Sequence, residues 1–371
     1  MDLDLSEEQQ MILDTTRAVL AEHSPTEVVR LMEDDPQGVA QELWKQMSEI
    51  GLNGLLIPES HGGGGMSLLE AALVYEELGR AMAPIPHFVS CVMSAGVLQE
   101  AGSDEQKEAW LPKIADGSAI LTPAWYEPGR GQGEAGIALE AKASGEDFVL
   151  TGVKRSVPYA AVADRLVVLA RTDAGVDLFL VDPASEGVTL TFHQSQGREP
   201  HYRIDFAGAR VPARDRIGAP GSGWTTWDTV MHDGIVLLAA QAIGGAHRCL
   251  METVEYAKQR VQFDKPLGAF QSLAHYMADA STRIDGGRVL VHEAAWNRAE
   301  GRSIARFAPM AKLFCCETYR ETTRVCAQIW GGVAFTIEYD VQMFFRRAKH
   351  LQLTWWDTPY LEELVAADVL D

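Results

Sequence analysis

The sequence of 371 residues predicts an α+β protein in which a helical region is followed by a β region and then by a second helical region. Two changes of pattern predict this order. Apolar residues recur at helical spacing up to about residue 114, short β-branched runs follow up to about residue 218, and long helical segments then return. Hydrophobic residues make up 47% of the chain, enough to bury cores in two or three structural units. The predicted domains are 1–117, 118–222 and 223–371.

The first region is predicted to be helical. Met11, Ile12 and Val19 recur at the spacing of one helix face. Ser6 followed three residues later by Gln9 matches a capping box, in which the two side chains satisfy free backbone N–H groups of the first turn. The glycines at 62–65 interrupt the helices. Because no Lys-Ser or Lys-Thr follows them, they predict a turn rather than a phosphate-binding loop.

The middle region is predicted to be a sheet. Four runs of β-branched or alternating apolar residues are separated by Gly, Pro and Asp turns, and they span 148–151, 166–170, 176–181 and 188–192. No segment with helical length and periodicity lies between these runs, so parallel crossovers are not expected. The region is therefore predicted to be a small antiparallel barrel or sandwich.

The last region is predicted to contain long helices that span 224–260, 272–300, 308–330 and 338–353. Gly244 and Gly245 lie inside the first of them, where glycine lowers helix propensity relative to alanine. We therefore expect another helix to pack closely against this glycine pair.

Charge and cysteine usage argue against several classes of function. The 32 Lys and Arg residues against 52 Asp and Glu residues leave a net charge of −20, which disfavours a protein that must neutralise nucleic-acid phosphates. The cysteines are scattered without a Cys-x-x-Cys pair, and no His-Glu-x-x-His occurs, so we expect reduced thiols and no metal site. The apolar stretch 235–246 is too short to cross a bilayer, and the acidic first ten residues do not resemble a secretory signal. These patterns predict a cytoplasmic protein that binds neither nucleic acid nor membrane.

Two clusters in the last region are candidates for binding a dinucleotide. Arg260 and Phe263 lie on one loop with Gln271 at the start of the next helix, so a planar guanidinium and an aromatic ring are available for a pyrophosphate and a flat ring. Gln328 precedes the glycine pair 331–332, which lets a ligand approach the backbone because no Cβ stands in the way. Either cluster by itself is also compatible with a turn between helices. The two together, in a chain ordered α, β, α, favour a ligand site.

Nearly the whole chain resembles the acyl-CoA dehydrogenase family. The resemblance rests on Pro58-Glu-Ser-His-Gly-Gly, on Tyr-Ala-x-x-Arg-x-x-Phe-x-x-Pro-Leu-x-x-Phe-Gln at 256–271, and on Gln-x-x-Gly-Gly-x-x-Phe-Thr-x-Glu-Tyr at 328–339. It implies a helical N-terminal domain, a middle β-barrel domain and a C-terminal four-helix bundle, assembled as a dimer of dimers. It also implies FAD as the cofactor, bound between the β-domain and the bundle.

The resemblance assigns residues to the cofactor by motif match. In the family these bundle groups reach across the subunit interface to the neighbour's FAD. This implies contacts to the ADP half from Arg260, Gln262, Phe263 and Gln271, and to the pyrophosphate from Gln328, Gly331 and Gly332. The family reaction is the α,β-desaturation of an acyl-CoA thioester, in which a carboxylate removes the α-proton while hydride passes to the flavin. An electron-accepting flavoprotein or a similar partner takes up the electrons.

The chain departs from the family where its own β-domain is expected to touch the flavin. Tyr126 stands where the family motif Thr-Glu-Pro-Gly-x-Gly-Ser has its threonine, and Ser156 and Pro158 stand where the family has a tryptophan and a threonine. Serine offers no ring to pack against the flavin, and proline has no backbone N–H to donate. By position, Tyr126 and Ser156 remain the candidate flavin contacts of this domain, and we expect them to bind flavin less well than the family residues.

The family's catalytic carboxylate is also displaced. The family sequence Tyr-Glu-Gly-Thr aligns with 354–357, so Trp355 takes the place of the glutamate and Asp357 follows two residues later. An alternative family position on the first bundle helix falls on Gly234. The neighbouring Asp233 points to a different face, because a helix turns by about 100° per residue. Asp357 and Asp233 are therefore the candidate bases, and the sequence leaves both open.

Three functional hypotheses follow. The first and leading hypothesis is a FAD-dependent acyl-CoA dehydrogenase with a displaced base. Glu127 is a weaker candidate for that base, because the family's Glu-Pro glutamate is not its base. The second is a catalytically silent subunit of a heterotetramer, whose Arg260, Gln271 and Gln328 complete the FAD site of a homologous partner. The combined changes at 126, 156, 158 and 355 favour this second hypothesis. The third, a nucleic-acid-binding relative, conflicts with the net charge of −20.

Overall fold

The structure is a computed structural model that describes residues 4–370. Its contacts divide into two compact units. One contains the chain up to Val29, Ser67–Ala83 and the chain from Ile235 onward, and the other contains Arg30–Met66 and Pro84–Gly234. The domain boundaries at 117/118 and 222/223 are drawn on sequence pattern and remain predictions.

The α-helices confirm the predicted helical regions. In chain order they are α1 (Glu7–His23), α2 (Thr26–Glu33), α3 (Gln41–Glu49), α4 (Leu68–Ala81), α5 (Ala95–Ala101), α6 (Asp104–Ala115), α7 (Gly223–Gln259), α8 (Gln271–Ala299), α9 (Phe307–Trp330), α10 (Val341–Leu353) and α11 (Thr358–Leu370). The Ser6 side chain accepts a hydrogen bond from the Gln9 backbone, and the Gln9 side chain accepts one from the Ser6 backbone, so the predicted capping box is present. The sequence analysis missed α11.

The middle of the chain forms one mixed sheet. Its strands are β1 (Leu121–Ala124), β2 (Glu140–Ser144), β3 (Asp147–Pro158), β4 (Arg165–Thr172), β5 (Gly175–Val181), β6 (Val188–Gln194), β7 (Pro200–Pro212) and β8 (Arg216–Ile217), with a separate hairpin of β9 (Val261–Gln262) and β10 (Lys265–Pro266). The order is β6-β7-β3-β2-β4-β5-β8, and β1 pairs with β4.

Among residues 4–370 no pairing joins β6 to β8, so the predicted barrel is not confirmed. Two pairings, β1 with β4 and β2 with β4, are parallel, which corrects the prediction of a purely antiparallel sheet.

The glycine pair in α7 allows two close helix contacts, as the sequence predicted. A Cβ added to Gly244 would lie 1.8 Å from the Glu76 carbonyl oxygen of α4. A Cβ added to Gly245 would lie 2.5 Å from the Tyr319 hydroxyl oxygen of α9. Since real Cβ atoms do not approach other atoms so closely, these packings require glycine, and they outweigh its cost in helix propensity.

Helix α7 is also the one helix in the described chain that is long and apolar enough to span a membrane by length and composition. Of its most apolar 18-residue window, 78% is buried inside the protein. A mostly buried core helix passes the same test, so this property is weak evidence for a membrane span.

His87 makes the stability of the second unit depend on pH. Its side chain is 4% exposed, and Nε2 lies 3.1 Å from the Leu52 carbonyl oxygen. Burial lowers the pKa of His87 from 6.5 to about 4, against the raising effect of that hydrogen bond. The unfolded chain binds the His87 proton more tightly than the folded chain does. The contribution of His87 to the free energy of unfolding is therefore at its full value above about pH 6.5 and is lost as the pH falls from there through 4.

We expect His87→Gln, which keeps a donor for Leu52 but does not titrate, to flatten the pH dependence. From pH 7 to pH 4 the wild type should lose about 3 kcal/mol more in free energy of unfolding than the variant, since the pKa shift spans about 2.5 units. Urea unfolding at both pH values measures this difference. Equal pH dependence in the two proteins would contradict the assignment.

Candidate functional site

The structure brings the two predicted ligand-binding motifs together at one end of the C-terminal helices. The Tyr256 ring stacks on the Trp330 indole with centroids 3.9 Å apart and planes 9° from parallel. Trp330 Nε1 donates to Thr253 Oγ1 at 3.0 Å, which fixes the indole against α7. Arg260 follows directly, since its N–H donates to the Tyr256 carbonyl oxygen at 2.8 Å, and Gly331 follows Trp330 in the chain. We call this set, Arg260–Gln271 with Gln328–Tyr339, the bundle end.

The hairpin of β9 and β10 shapes one side of the bundle end. Gln262 pairs with Lys265, and the two residues between them, Phe263 and Asp264, have φ angles of 51° and 63°. Such a two-residue turn with left-handed backbone is the usual tight connection of a hairpin. It leaves Phe263 88% exposed, 6.2 Å from the Phe270 ring between centroids.

The remaining assigned groups of the bundle end are also on the surface. The exposed polar side chains are those of Arg260, Gln262, Gln271 and Gln328. A Cβ placed on Gly331 or Gly332 would meet no atom of the chain within 4 Å. Guanidinium and amide donors beside an open stretch of glycine backbone suit a pyrophosphate, and an exposed phenyl ring suits a flat heterocycle. The bundle end therefore fits the ADP half of FAD.

Two of the three altered β-domain positions, Ser156 and Pro158, lack the groups that the family motif uses on the flavin, and Tyr126 and Ser156 remain predicted flavin contacts. Ser156 has a φ of 55° and lies where the pairing of β3 with β7 shifts register, between Lys154 and Val157. Pro158 is buried, and its carbonyl oxygen accepts a hydrogen bond from Thr122 Oγ1 at 2.7 Å. The family's donated N–H is lost at Pro158 and its stacking ring at Ser156.

Glu127, which follows the altered residue Tyr126, has a structural partner. Its Oε1 accepts a hydrogen bond from Lys154 Nζ at 2.6 Å and others from the backbone of Ala138 and Leu139 at 3.0 and 2.9 Å. Lys154 is fully buried, and burial lowers its pKa to about 8 although Glu127 favours the charged form. The pair ties three segments of the β-domain together and leaves Glu127 committed to that role.

The turn that the resemblance aligns with the family's base holds two buried aromatic rings. Trp355 is 9% exposed and Trp356 is fully buried, and both have left-handed backbone with φ angles of 55° and 68°. Asp357 follows as a half-buried residue whose Oδ1 accepts the Tyr360 N–H at 3.2 Å, so it caps the start of α11. The carboxylate predicted as a base therefore already serves the backbone.

The second predicted base lies on α7. Asp233 is half-buried. At the family's alternative base position, a Cβ on Gly234 would lie 2.6 Å from Met93 Sδ, so the chain cannot carry a longer side chain there without moving Met93. The two candidate bases Asp233 and Asp357 remain predictions.

Sequence reasoning missed one buried charged residue near the base position. Lys312 of α9 is fully buried, and its Nζ donates to three carbonyl oxygens at the end of α10 and the turn that follows. The signal that could have found it is a lysine on the same helix face as Ala308 and Cys315, both of which are buried.

Two family models match the chain, namely the acyl-CoA dehydrogenase N-terminal domain over residues 6–118 and the acyl-CoA dehydrogenase C-terminal domain over residues 221–355. Acyl-CoA dehydrogenase FadE27 of Mycobacterium tuberculosis is 31% identical over 84% of this chain and 83% of its own length. The caffeyl-CoA reductase-Etf complex subunit CarC of Acetobacterium woodii is 29% identical over 98% of each chain. A chain of the ChsE4-ChsE5 complex from Mycobacterium tuberculosis is 28% identical with a TM-score of 0.92, covering 100% of this chain and 99% of that one.

Proposed function

The chain belongs to the acyl-CoA dehydrogenase family, and from this premise we propose that it is the catalytically silent, flavin-completing subunit of a heteromeric acyl-CoA dehydrogenase. The predicted family and fold class are confirmed, apart from the barrel. Family members are FAD-dependent oxidoreductases that act on CH–CH bonds, so the chain is an acyl-CoA dehydrogenase or a subunit of one. The silent role is the finer statement proposed here.

One contrast within the chain carries the proposal. The bundle end carries the groups that the motif match assigns to a neighbour's FAD, and presents them on the surface of the described chain. The positions that should serve this chain's own flavin and its own chemistry are altered together, with Ser156 and Pro158 in the β-domain and Trp355 at the aligned base position. A subunit that completes a partner's site needs the first set of groups and does not need the second.

The bundle end would hold the partner's FAD by four groups. The Arg260 guanidinium can donate two parallel hydrogen bonds to pyrophosphate oxygens, and Gln271 and Gln328 add amide donors. The glycine pair 331–332 leaves room for a phosphate against the backbone. When bound, FAD supplies the hydride acceptor for desaturation of the thioester.

The partner is then a homologous chain that carries its own catalytic carboxylate and the family's tryptophan and threonine in its β-domain. That chain would bind the acyl-CoA substrate. Heteromeric relatives support the arrangement, since the solved neighbour is a complex of ChsE4 with ChsE5 and the relative CarC is named as a subunit of a complex with Etf. We extend this to a separate electron-transferring flavoprotein as the electron acceptor.

The second candidate function is a self-sufficient homotetrameric dehydrogenase with Asp233 or Asp357 as the base. Relatives named as acyl-CoA dehydrogenases, which match over most of both chains, favour it. The two candidates predict opposite results for the chain purified by itself.

Purification decides between them. Under the proposal, the chain expressed alone is colourless, and co-expression with its homologous partner yields a yellow complex with about one FAD for each pair of chains. A yellow homo-oligomer with about one FAD per chain would overturn the proposal and establish the second candidate.

Activity of the co-expressed complex supplies an independent check. Asp233→Asn and Asp357→Asn should each leave turnover of acyl-CoA within about twofold of the wild type, because the partner provides the base. Loss of a true base costs about 10² to 10⁴ in rate. A loss of that size in either variant, with flavin content unchanged, would assign the base to this chain.

A further inference from the structure

The turn between α10 and α11 has a backbone that its residues do not favour. It consists of Thr354, Trp355 and Trp356, and the two tryptophans are consecutive non-glycine residues with φ angles of 55° and 68°. Left-handed backbone brings Cβ close to the following carbonyl group, so such residues persist only where the surroundings hold them. Something outside the turn must therefore stabilise it.

Lys312 meets this requirement. Its ammonium donates to the carbonyl oxygens of Leu351 at 3.2 Å, Thr354 at 2.7 Å and Trp356 at 2.7 Å. An ammonium has three N–H donors, so each is used on one carbonyl group. The acceptors lie at the C-terminal end of α10, where unpaired carbonyl groups and the helix dipole favour a positive charge.

We call these three hydrogen bonds from Lys312 the clamp, and the turn that they hold has its two indoles inside the protein. Trp356 is fully buried and packs edge-on against Tyr360, with ring centroids 5.3 Å apart and planes at 61°. Trp355 is 9% exposed. Asp357, immediately after the turn, caps α11, so the turn is tied at both ends.

We propose that Lys312 is a positioning residue that locks the turn 354–356 with its two indoles buried, so that the chain holds aromatic rings at the positions that align with the family's catalytic carboxylate. The statement that this turn stands at the family's base position rests on the proposed function. The clamp itself rests only on the three hydrogen bonds, the burial and the backbone of the turn.

Limited proteolysis with chymotrypsin tests the clamp, because cleavage after Trp355 or Trp356 requires the turn to open. In the full chain, Lys312→Met removes all three donors at similar volume. We expect cleavage at these two sites, identified by mass spectrometry, to become at least about tenfold faster than in the wild type. Lys154→Met, which removes a fully buried lysine from the β-domain, is the matched control for general destabilisation and should leave cleavage at the turn unchanged.

The pH dependence of cleavage at the turn tests whether the charge of Lys312 matters. Burial lowers the pKa of Lys312 to about 8, against the raising effects of Cys316 and Asp357, the groups that face its ammonium. Opening the turn exposes Lys312 to water, where its ammonium holds the proton more tightly than in the closed turn. From about pH 7 to about pH 9 the closed turn is therefore increasingly favoured, and cleavage of the wild-type turn, corrected for protease activity, should fall. Lys312→Arg keeps its proton throughout, so its corrected rate should stay flat.

Three results would overturn the clamp. The first is a cleavage rate of Lys312→Met equal to that of the wild type, and the second is equal acceleration in Lys154→Met. The third, which decides if Lys312→Met does not fold, is an identical pH profile of cleavage in the wild type and Lys312→Arg. Flavin content is measured separately on the co-expressed wild-type complex, so a failed clamp and a failed functional proposal give different signatures.

Discussion

Gly332→Leu in the co-expressed complex should abolish flavin binding while this chain remains folded. A Cβ added at this position meets no atom of the chain within 4 Å, and the residue lies on the surface, so we expect the chain to accommodate the leucine. The same side chain would occupy the open space beside the bundle-end backbone, where the proposal places the partner's pyrophosphate. We expect FAD occupancy after gel filtration to fall at least about tenfold, with an unchanged unfolding transition of the chain by itself.

Gly131→Leu is the matched control. Gly131 is equally open, since a Cβ there also meets nothing within 4 Å, but it belongs to the β-domain motif that begins at Tyr126. If only the partner's FAD is bound, Gly131→Leu leaves occupancy unchanged. If Gly131→Leu removes flavin as well, this chain's own β-domain holds a flavin and the silent-subunit proposal is wrong. Full occupancy in Gly332→Leu would remove the bundle end from the cofactor site.

Glu127→Gln should destabilise the β-domain by about 3 kcal/mol or more, because it leaves the fully buried Lys154 without its counter-charge. The hydrogen bonds from Lys154 to Trp125 O at 3.1 Å and to the new amide do not replace a carboxylate. Urea unfolding of the full chain at pH 7 measures the loss. The effect concerns stability and not chemistry, which separates Glu127 from the candidate bases.

Two further variants make that prediction specific. Glu127→Gln combined with Lys154→Met should recover most of the loss, since no buried charge remains unpaired. Glu140→Gln breaks an exposed pair, in which Lys142 Nζ lies 2.8 Å from Glu140, and should leave the free energy of unfolding nearly unchanged because solvent screens the pair. Equal effects of Glu127→Gln and Glu140→Gln would show that burial of Lys154 does not govern the energetics of the pair.

The helices were predictable because their signals are local. The periodic apolar residues of α7, α8, α9 and α10 and the Ser6 capping box each depend on residues within a few turns, so pattern and structure agree to within a few residues. Helix α11 was missed because its apolar residues lie on no single face. The parallel pairing of β1 with β4 was missed because it joins segments 44 residues apart, as in Leu121 with Arg165, without a helix between them.

The sequence by itself determined the family, the order of helical and β regions and the motifs for a dinucleotide, because these reside in residue types at fixed spacing along the chain. The tertiary structure decided which groups share one place. Tyr256 stacks on Trp330 and so joins two distant motifs, Lys154 is buried against Glu127, and Lys312 holds a turn that begins 42 residues later. Burial and long-range pairing set the energy of each charged group, and neither can be read from the neighbours of a residue in sequence.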